Sequence, residues 1–425
     1  MVQLTDDCFA HGGALMRADA ALEALRDRLI AVVDHETVGL RDAIGRILAR
    51  DVVAPRDVPP HANAAVDGYA FRHADLPATG SAALPVIGRA AAGHPHNAPL
   101  PPGTALRIFT GAPLPDGDNA PDVIAMQEDC RLREAATGDR VELPGGLAAG
   151  DNIRARGEDV RAGSTILAAG ARLRPQDIGL AASVGLVELP LFRRLRVALF
   201  STGDEVREPG TDLPPGGIYD ANRYCLHGLL EGLGFTVSDL GILPDDATAI
   251  RNALAAAARD HDAIVTSAGM SVGEEDHMAA AIGAIGQLHF WKLAIKPGRP
   301  VALGQIGAVP FIGLPGNPAA MMVTFLRIAR PALLRLAGAT ALAPHVYRVR
   351  AGFDHRKKTD RREFLRVRLR TDPDGMSCAV KFPRDGAGIL SSLVEADGLV
   401  ELAEETTNLQ AGAMVDFVPF SEVIG

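Results

Sequence analysis

Between residues 17 and 33, Ala21, Leu22, Leu25, Leu29 and Val32 recur at helical spacing, which predicts an amphipathic helix. A second, shorter helix is expected over GLRDAIGRILARDV (39–52). The next stretch, APRDVPPHANAAVDGYAF (54–71), is too rich in proline and small residues for a helix. It opens a region of short strands punctuated by Pro and Gly, reaching about residue 152 and read as a small β domain. From about 195 to 336 the pattern becomes strand–helix alternation. LRVALFS, FTVSDLGIL and DAIVTS read as strands, and ANRYCLHGLLEGLG and DDATAIRNALAAAARD as helices. VPFIGL then runs through PGNP into a long apolar helix (319–338). Repeated βα units imply a mainly parallel sheet covered on both faces, with ligands collecting at the carboxyl ends of its strands. The tail from about 344 (VYRVRAGF, EFLRVRLR, MVDFVPF) alternates with period two and predicts a separate small β domain.

Length and composition narrow the class. A chain of 425 residues exceeds one ordinary core, and 47% hydrophobic with 22% charged residues describes a folded globular protein. A net charge of −9 argues against general nucleic-acid binding, which needs a basic surface to displace counterions. Cys8, Cys130, Cys225 and Cys378 are far apart, with no C-x-x-C pair, so reduced thiols are expected rather than a disulfide framework or zinc knuckle. The start, MVQLTDDCFAHGG, has acids where a signal peptide carries lysines, and no run of 18 apolar residues follows; a cytoplasmic location is expected. Dinucleotide G-x-G-x-x-G, Walker and H-E-x-x-H patterns are all missing.

The chemistry therefore falls to the loops after the predicted strands: STGDEV (201–206), SAGMSVGEED (267–276) and LPGNP (314–318). Glycine permits close backbone approach to a ligand, and N–H groups at a following helix start favour an anion. Ser201, Gly203, Gly269, Ser271, Gly273, Pro315 and Gly316 are the candidate contacts. Each loop alone could be only a tight turn; three at neighbouring strand ends point to a phosphate. The acids Asp204, Glu205, Glu274 and Asp276 oppose this, because like unit charges about 4 Å apart repel by roughly 4 kcal/mol at an effective dielectric near 20. A magnesium ion resolves the conflict, since it takes a few carboxylates together with substrate phosphate oxygens. In FWKLAIKPGRP, Lys292 and Lys296 would share one face of an extended segment, near Arg299, and could clamp an anion. A rival reading is a serine hydrolase, because GMSVG (269–273) matches the nucleophile elbow with Ser271 as nucleophile and His289, His345 or His355 as its base. Three acids beside the elbow disfavour the oxyanion such an enzyme must stabilise.

Taken together, NAAVDGYA (63–70), RIFTGAPLP (107–115), RGEDV (156–160), STGDEV, TSAGMSVGEEDH, FWKLAIKPGRP and GLPGNPAA resemble the molybdopterin molybdenumtransferase family, the molybdate-insertion enzymes related to the gephyrin E domain. The resemblance runs nearly end to end. It implies a multidomain α/β and β fold. An elongated linker domain (14–58 and 153–192) carries an inserted β domain (59–152). A three-layer, mainly parallel α/β molybdopterin-binding domain (193–338) and a C-terminal β barrel (339–425) follow. It also implies a cytoplasmic homodimer whose cleft joins the α/β domain of one subunit to the inserted and C-terminal domains of the other. The implied reaction takes adenylylated molybdopterin and molybdate to molybdenum cofactor and AMP with Mg²⁺. The implied partners are the molybdopterin adenylyltransferase and recipient molybdoenzymes. Carried over by motif, the working cleft comprises Asp67, Thr110, Asp159, Glu205, Asp245, Asp276, Lys292 and Lys296, with Glu205, Asp276 and Asp245 as the metal candidates. Asp245 adjoins Asp246 in PDDAT, which also makes a good helix N-cap, and Asp67 in VDGY also suits a turn. A basic–hydroxyl pair in the tail is matched to Arg361 or Arg362 with Ser391 or Ser392. Ala64, Val66, Ala268 and Met270 depart from the family pattern. Adenylyltransferase and non-enzymatic scaffold readings fit less well: the extra domains argue against the first and the retained acids and lysines against the second.

Overall fold

The structure is a computed structural model, and it describes residues 15–77, 80–134, 136, 138–267 and 277–423. Its centre is a six-stranded sheet in the order Thr236–Leu243, Arg196–Thr202, Ala263–Ser267, Val309–Leu314, Pro300–Ile306, Gly286–Lys292. The first four strands are mutually parallel. The last two form consecutive antiparallel pairs, so Gly286–Lys292 again runs in the common direction. Its end at Lys292 therefore lies on the same sheet edge as Thr202, Ser267 and Leu314.

Strand Arg196–Thr202 shows why its middle, Val197 to Phe200, is apolar without interruption. Val197 and Leu199 enter one core, with Leu226, Leu230 and Leu333, whereas Ala198 and Phe200 enter another, with Ile250, Leu254 and Ile282. A parallel strand covered on both faces must be apolar at every position. Helices Ala221–Gly232 and Pro318–Thr324 supply the first cover, and Ala247–Asp260 with His277–Gly283 the second, giving three layers. The long apolar helix expected after PGNP is one continuous run interrupted by a π-turn at Phe325–Ala329 before Pro331. Proline lacks an N–H and its ring crowds the carbonyl four residues back, so the regular ladder cannot pass through unchanged.

The first helix is shorter than the periodicity suggests, Ala18–Arg28, and buries Ala21 and Leu25 while Leu29 caps it. The second expected helix is not formed. Only Leu40–Asp42 makes a 3₁₀ turn; Gly45 adopts φ +72°, and Ile47 and Leu48 bridge to Arg172 and Leu191. Two chain segments thus pair with each other, His35–Gly39 with Glu188–Phe192 and Val52–Val53 with Thr165–Leu167. Between them lies a six-stranded sheet that includes Gly68–Phe71, Ala105–Ile108 and Val123–Met126.

Near the C-terminus, Arg362–Thr371, Ser377–Lys381, Tyr347–Ala351, Met414–Pro419 and Gly398–Leu402 close into a five-stranded barrel. Ile295–Lys296 adds to its wall as a parallel strand beside Arg362–Glu363. The expected alternation of EFLRVRLR is therefore replaced by continuous burial from Glu363 to Val367. Leu365 and Val367 fill the barrel, while Phe364 packs into the core shared with the central sheet. No helix among the described residues is long and apolar enough to cross a membrane.

Candidate functional site

At the carboxyl edge of the central sheet a cavity of about 490 Å³ is lined by Ser201, Glu205, Tyr219, Asn222, Ser267 and Gly316, among others. Gly203 explains how Glu205 reaches it. The glycine has φ +131°, and a Cβ there would stand 2.6 Å from Glu205 Oε2. Val206 N–H donates to the Gly203 carbonyl at 2.9 Å, closing the turn that presents the acid. Asn222, in the first turn of its helix, donates from Nδ2 to Ser267 Oγ at 2.8 Å and to the Gly316 carbonyl at 2.7 Å, tying two strand-end loops together. Its Oδ1 and the Ser201 hydroxyl are buried without a hydrogen-bond partner. Buried polar atoms left unpaired are costly, and at a cavity wall they mark a place for a ligand or water.

A second cavity of about 500 Å³ opens between the sheet edge and the barrel, lined by Lys296, Pro315, Gly316, Asn317, Glu363 and Arg366 among others. Gly316 and Asn317 line both cavities, so the two adjoin along the loop after Leu314, and together they are called the groove. Lys296, half exposed, forms an ion pair with the buried carboxylate of Glu363, whose other oxygen contacts His355 Nε2 at 3.2 Å. The guanidinium of Arg366, 5% exposed, is fixed from three sides. Its Nε donates to Ser392 Oγ at 3.1 Å, and its Nη2 to the carbonyls of Arg384 and Gly386, both at 3.2 Å.

Of the residues matched in the tail, Ser392 is hydrogen-bonded to an arginine, Arg366, that the sequence match did not name. Arg362 is bound by Asp19, Glu401 and Glu404, Arg361 lines a different pocket, and Ser391 is exposed on the surface. Lys292 and Lys296 do not share one extended segment either. Lys292 ends a strand of the central sheet and Lys296 belongs to the barrel wall, because the chain switches sheets between them. The barrel beside Lys296 belongs to the same chain, whereas the family resemblance implied that another subunit would supply it. Asp245 is exposed ahead of its helix, and the N-cap is its neighbour Asp246, whose side chain accepts from Ala249 N–H at 2.7 Å. Gly269, Ser271, Gly273, Glu274 and Asp276, with the departures Ala268 and Met270, lie outside the described residues. Among those described, no group of three or more His, Cys, Asp or Glu side chains could hold a metal.

Asp67, Thr110 and Asp159 line neither half of the groove. Asp67 and Thr110 do form a unit: Asp67 Oδ1 accepts from the Thr110 N–H at 2.8 Å and from its hydroxyl at 2.7 Å. These bonds, the N–H first, hold the Asp67 carboxyl below its usual range. Gly68 is required beside it, since a Cβ would stand 1.9 Å from the Ala125 carbonyl oxygen of the adjoining strand. Asp159 is exposed in a loop held by its N–H to the Val58 carbonyl at 3.0 Å. Asn222, Glu363 and Arg366 escaped the sequence reading. Only Asn222 carried a local signal, a polar residue in the first turn of a helix that follows a strand.

The architecture belongs to a known multidomain class. Three family profiles match in order: MoeA N-terminal region (domain I and II) at residues 16–185, "Probable molybdopterin binding domain" at 198–335, and MoeA C-terminal region (domain IV) at 348–420. A molybdopterin molybdenumtransferase of Haemophilus influenzae is 37% identical over 97% of this chain and 100% of its own. Molybdopterin molybdenumtransferase 2 of Mycobacterium tuberculosis is 34% identical over 89% of this chain and 93% of its own. The crystal structure of a molybdopterin biosynthesis MoeA protein from Pyrococcus horikoshii OT3 matches with a TM-score of 0.79 at 28% identity, covering 96% of this chain and 100% of that one. The chain belongs to the molybdopterin molybdenumtransferase family. It is an enzyme with a role in molybdenum cofactor biosynthesis.

Proposed function

We propose that the groove binds adenylylated molybdopterin and molybdate and converts them to molybdenum cofactor and AMP, in a cytoplasmic homodimer. The observation that carries this reading is the pair of adjoining cavities that make up the groove. At one end stand the Glu205 carboxylate and the unpaired buried atoms of Ser201 and Asn222; at the other stand Lys296 and the fixed guanidinium of Arg366. A substrate carrying a polar heterocycle and phosphates, together with a separate oxyanion, needs that division. Lys296 and Arg366, with Lys292 at the sheet edge, hold the molybdate. The Ser201 hydroxyl and the Asn222 amide oxygen bind polar atoms of the organic substrate.

Release of AMP requires water to add to one phosphorus of the anhydride while the bridging oxygen leaves on the other. Glu205 orients that water. Glu205 alone would repel the phosphates, and Mg²⁺ ordinarily takes one or two carboxylates plus phosphate oxygens, so one exposed acid at the groove fits the ion. Glu205 with Asp276 would hold it, and it would neutralise charge between acid and phosphate. Asp245, exposed ahead of its helix, is the weaker third ligand. Asp67 and Thr110, with Asp159, complete the cleft from the second subunit. The partners that follow are the adenylyltransferase supplying the substrate and the molybdoenzymes taking the product.

The test incubates purified protein with adenylylated molybdopterin, molybdate and Mg²⁺ and follows AMP. Release is expected to need both molybdate and the divalent ion, and to fall at least about a hundredfold in Glu205→Gln and Asp276→Ala, the scale of losing a catalytic acid–base group. Full-rate release with all divalent ions chelated would overturn the assignment of the acids.

A further inference from the structure

A third cavity of about 380 Å³ adjoins the groove at Lys296 and Glu363 and is otherwise lined by Arg356, Lys357, Lys358 and Arg361, none of which lines the groove. Five cations surround one carboxylate, in a chain whose net charge is −9. Chain-wide charge therefore does not account for the sign of this pocket.

The cations differ in how they are engaged. Lys357 is structural: its Nζ donates to the carbonyls of Arg361 at 2.6 Å and Glu404 at 3.1 Å, closing the turn from within. Glu363 is spent on Lys296 and His355. The nearby acids Glu404 and Glu405 are paired with Arg17, and Glu404 with Arg362 as well. Among the described residues, no ion pair engages Arg356, Lys358 or Arg361. Asp360, at the tip of the turn, takes φ +62°, a left-handed conformation that a non-glycine residue seldom adopts, and accepts from Thr359 Oγ1 at 3.2 Å. His355–Arg356 is pinned in turn by antiparallel pairing with Asn408–Leu409. Three cations that no ion pair engages among the described residues are thus mounted on a braced turn, with Asp360 the one acid of that turn, around a concavity of small-ligand size. Low-dielectric walls lined by one sign of charge concentrate counter-ions.

We infer that this pocket is a second anion site, outside the groove, which takes a phosphate or pyrophosphate group through Arg356, Lys358 and Arg361. The inference does not rest on the reaction proposed above, since it requires only a phosphate-class ligand. Lys296 and Glu363 line both cavities, so an anion here competes with Glu363 for the same ammonium that faces the groove.

The experiment titrates full-length protein with inorganic pyrophosphate and, in a parallel arm, AMP, by calorimetry at low salt. Wild type and the variants K358Q/R361Q and R366Q are compared, with circular dichroism confirming that each is folded. Saturable pyrophosphate binding is expected in wild type and R366Q, weakened at least tenfold in folded K358Q/R361Q and weakened in wild type as salt is raised. AMP binding with the same pattern would assign a nucleotide phosphate to the pocket. Undiminished pyrophosphate binding in folded K358Q/R361Q, loss of binding only in R366Q, or no binding by wild type would each overturn the inference.

Discussion

Arg366 Nε and Ser392 Oγ meet at 3.1 Å, joining a barrel strand whose Arg366 lines the groove to the short helix Ser391–Val394. Ser392 has no exposed surface, and its hydroxyl also donates to the Ile389 carbonyl at 2.5 Å. In Ser392→Ala the buried guanidinium keeps two carbonyl acceptors but loses the one on Nε. An unmet buried donor costs about 1–3 kcal/mol. Urea denaturation should show a loss of that size, with weaker oxyanion binding. Ser391→Ala, next in sequence but exposed, should change neither; equal effects from the two serines would discard the pairing.

The Asp67–Thr110 unit makes a titration prediction with a definite sign. The Thr110 N–H is the larger cause of the depressed Asp67 pKa and the hydroxyl the smaller. Thr110→Val removes only the hydroxyl. By carboxyl ¹³C NMR, the Asp67 pKa should rise in this variant yet stay below the ordinary value near 3.9. An unchanged pKa would show that the hydroxyl does not act on the carboxylate.

How much of this was readable beforehand follows from where each signal lies along the chain. Ser201 lies at the end of a buried strand and Glu205 and Gly316 lie in the loops just beyond buried strands, and the strand-to-loop change marks such positions in any open α/β sheet. Arg366 sits within a strand whose alternate residues serve two cores. EFLRVRLR therefore looks like an ordinary half-exposed strand until docking of the α/β domain covers its outer face. Glu363 is 67 residues from Lys296, and nothing local announces that pairing. The lost helix at 39–52 is a case of tertiary pairing overriding propensity: Gly45 and the bridges of Ile47 and Leu48 build the linker instead.

Asp262 gives the chain an acid-sensitive joint. Burial alone would push its carboxyl up; the side chains of Arg193 and then Arg196, with the Arg196 N–H, outweigh it and hold the carboxyl below its usual range. Arg193 Nη1 lies 2.7 Å from Asp262 Oδ2 and the Arg196 N–H 2.8 Å from the same oxygen. A carboxylate with a depressed folded pKa stabilises fully above its unfolded value near 3.9, and that stabilisation is lost as pH falls through the lower folded value. Asp262→Asn should therefore cost about 2 kcal/mol at pH 7, the scale of a hydrogen bond to a charged group. The gap to wild type should shrink as pH drops below about 4. A gap that holds constant from pH 7 to pH 3 would mean that packing, rather than ionisation, carries the effect.

Gly298 ties the groove's lysine loop to the long buried helix. Its φ is +103°, and a Cβ there would stand 2.7 Å from Thr324 Cγ2 and 3.0 Å from the Ala320 carbonyl oxygen. Gly298→Ala must then both strain the backbone and displace the helix or the loop two residues from Lys296. Gly307, with φ +60° in the turn between two strands, separates the two effects, because nothing lies within 4 Å of its added Cβ. Gly307→Ala should cost only the backbone penalty, about 1 kcal/mol, and leave oxyanion affinity alone. Gly298→Ala should cost about 1–3 kcal/mol beyond that and weaken oxyanion binding, because crowding is added to strain. Thermal unfolding and oxyanion titration of the two variants side by side check this. Equal losses in both would mean that the backbone conformation alone, and not the close approach to Thr324, demands glycine at 298.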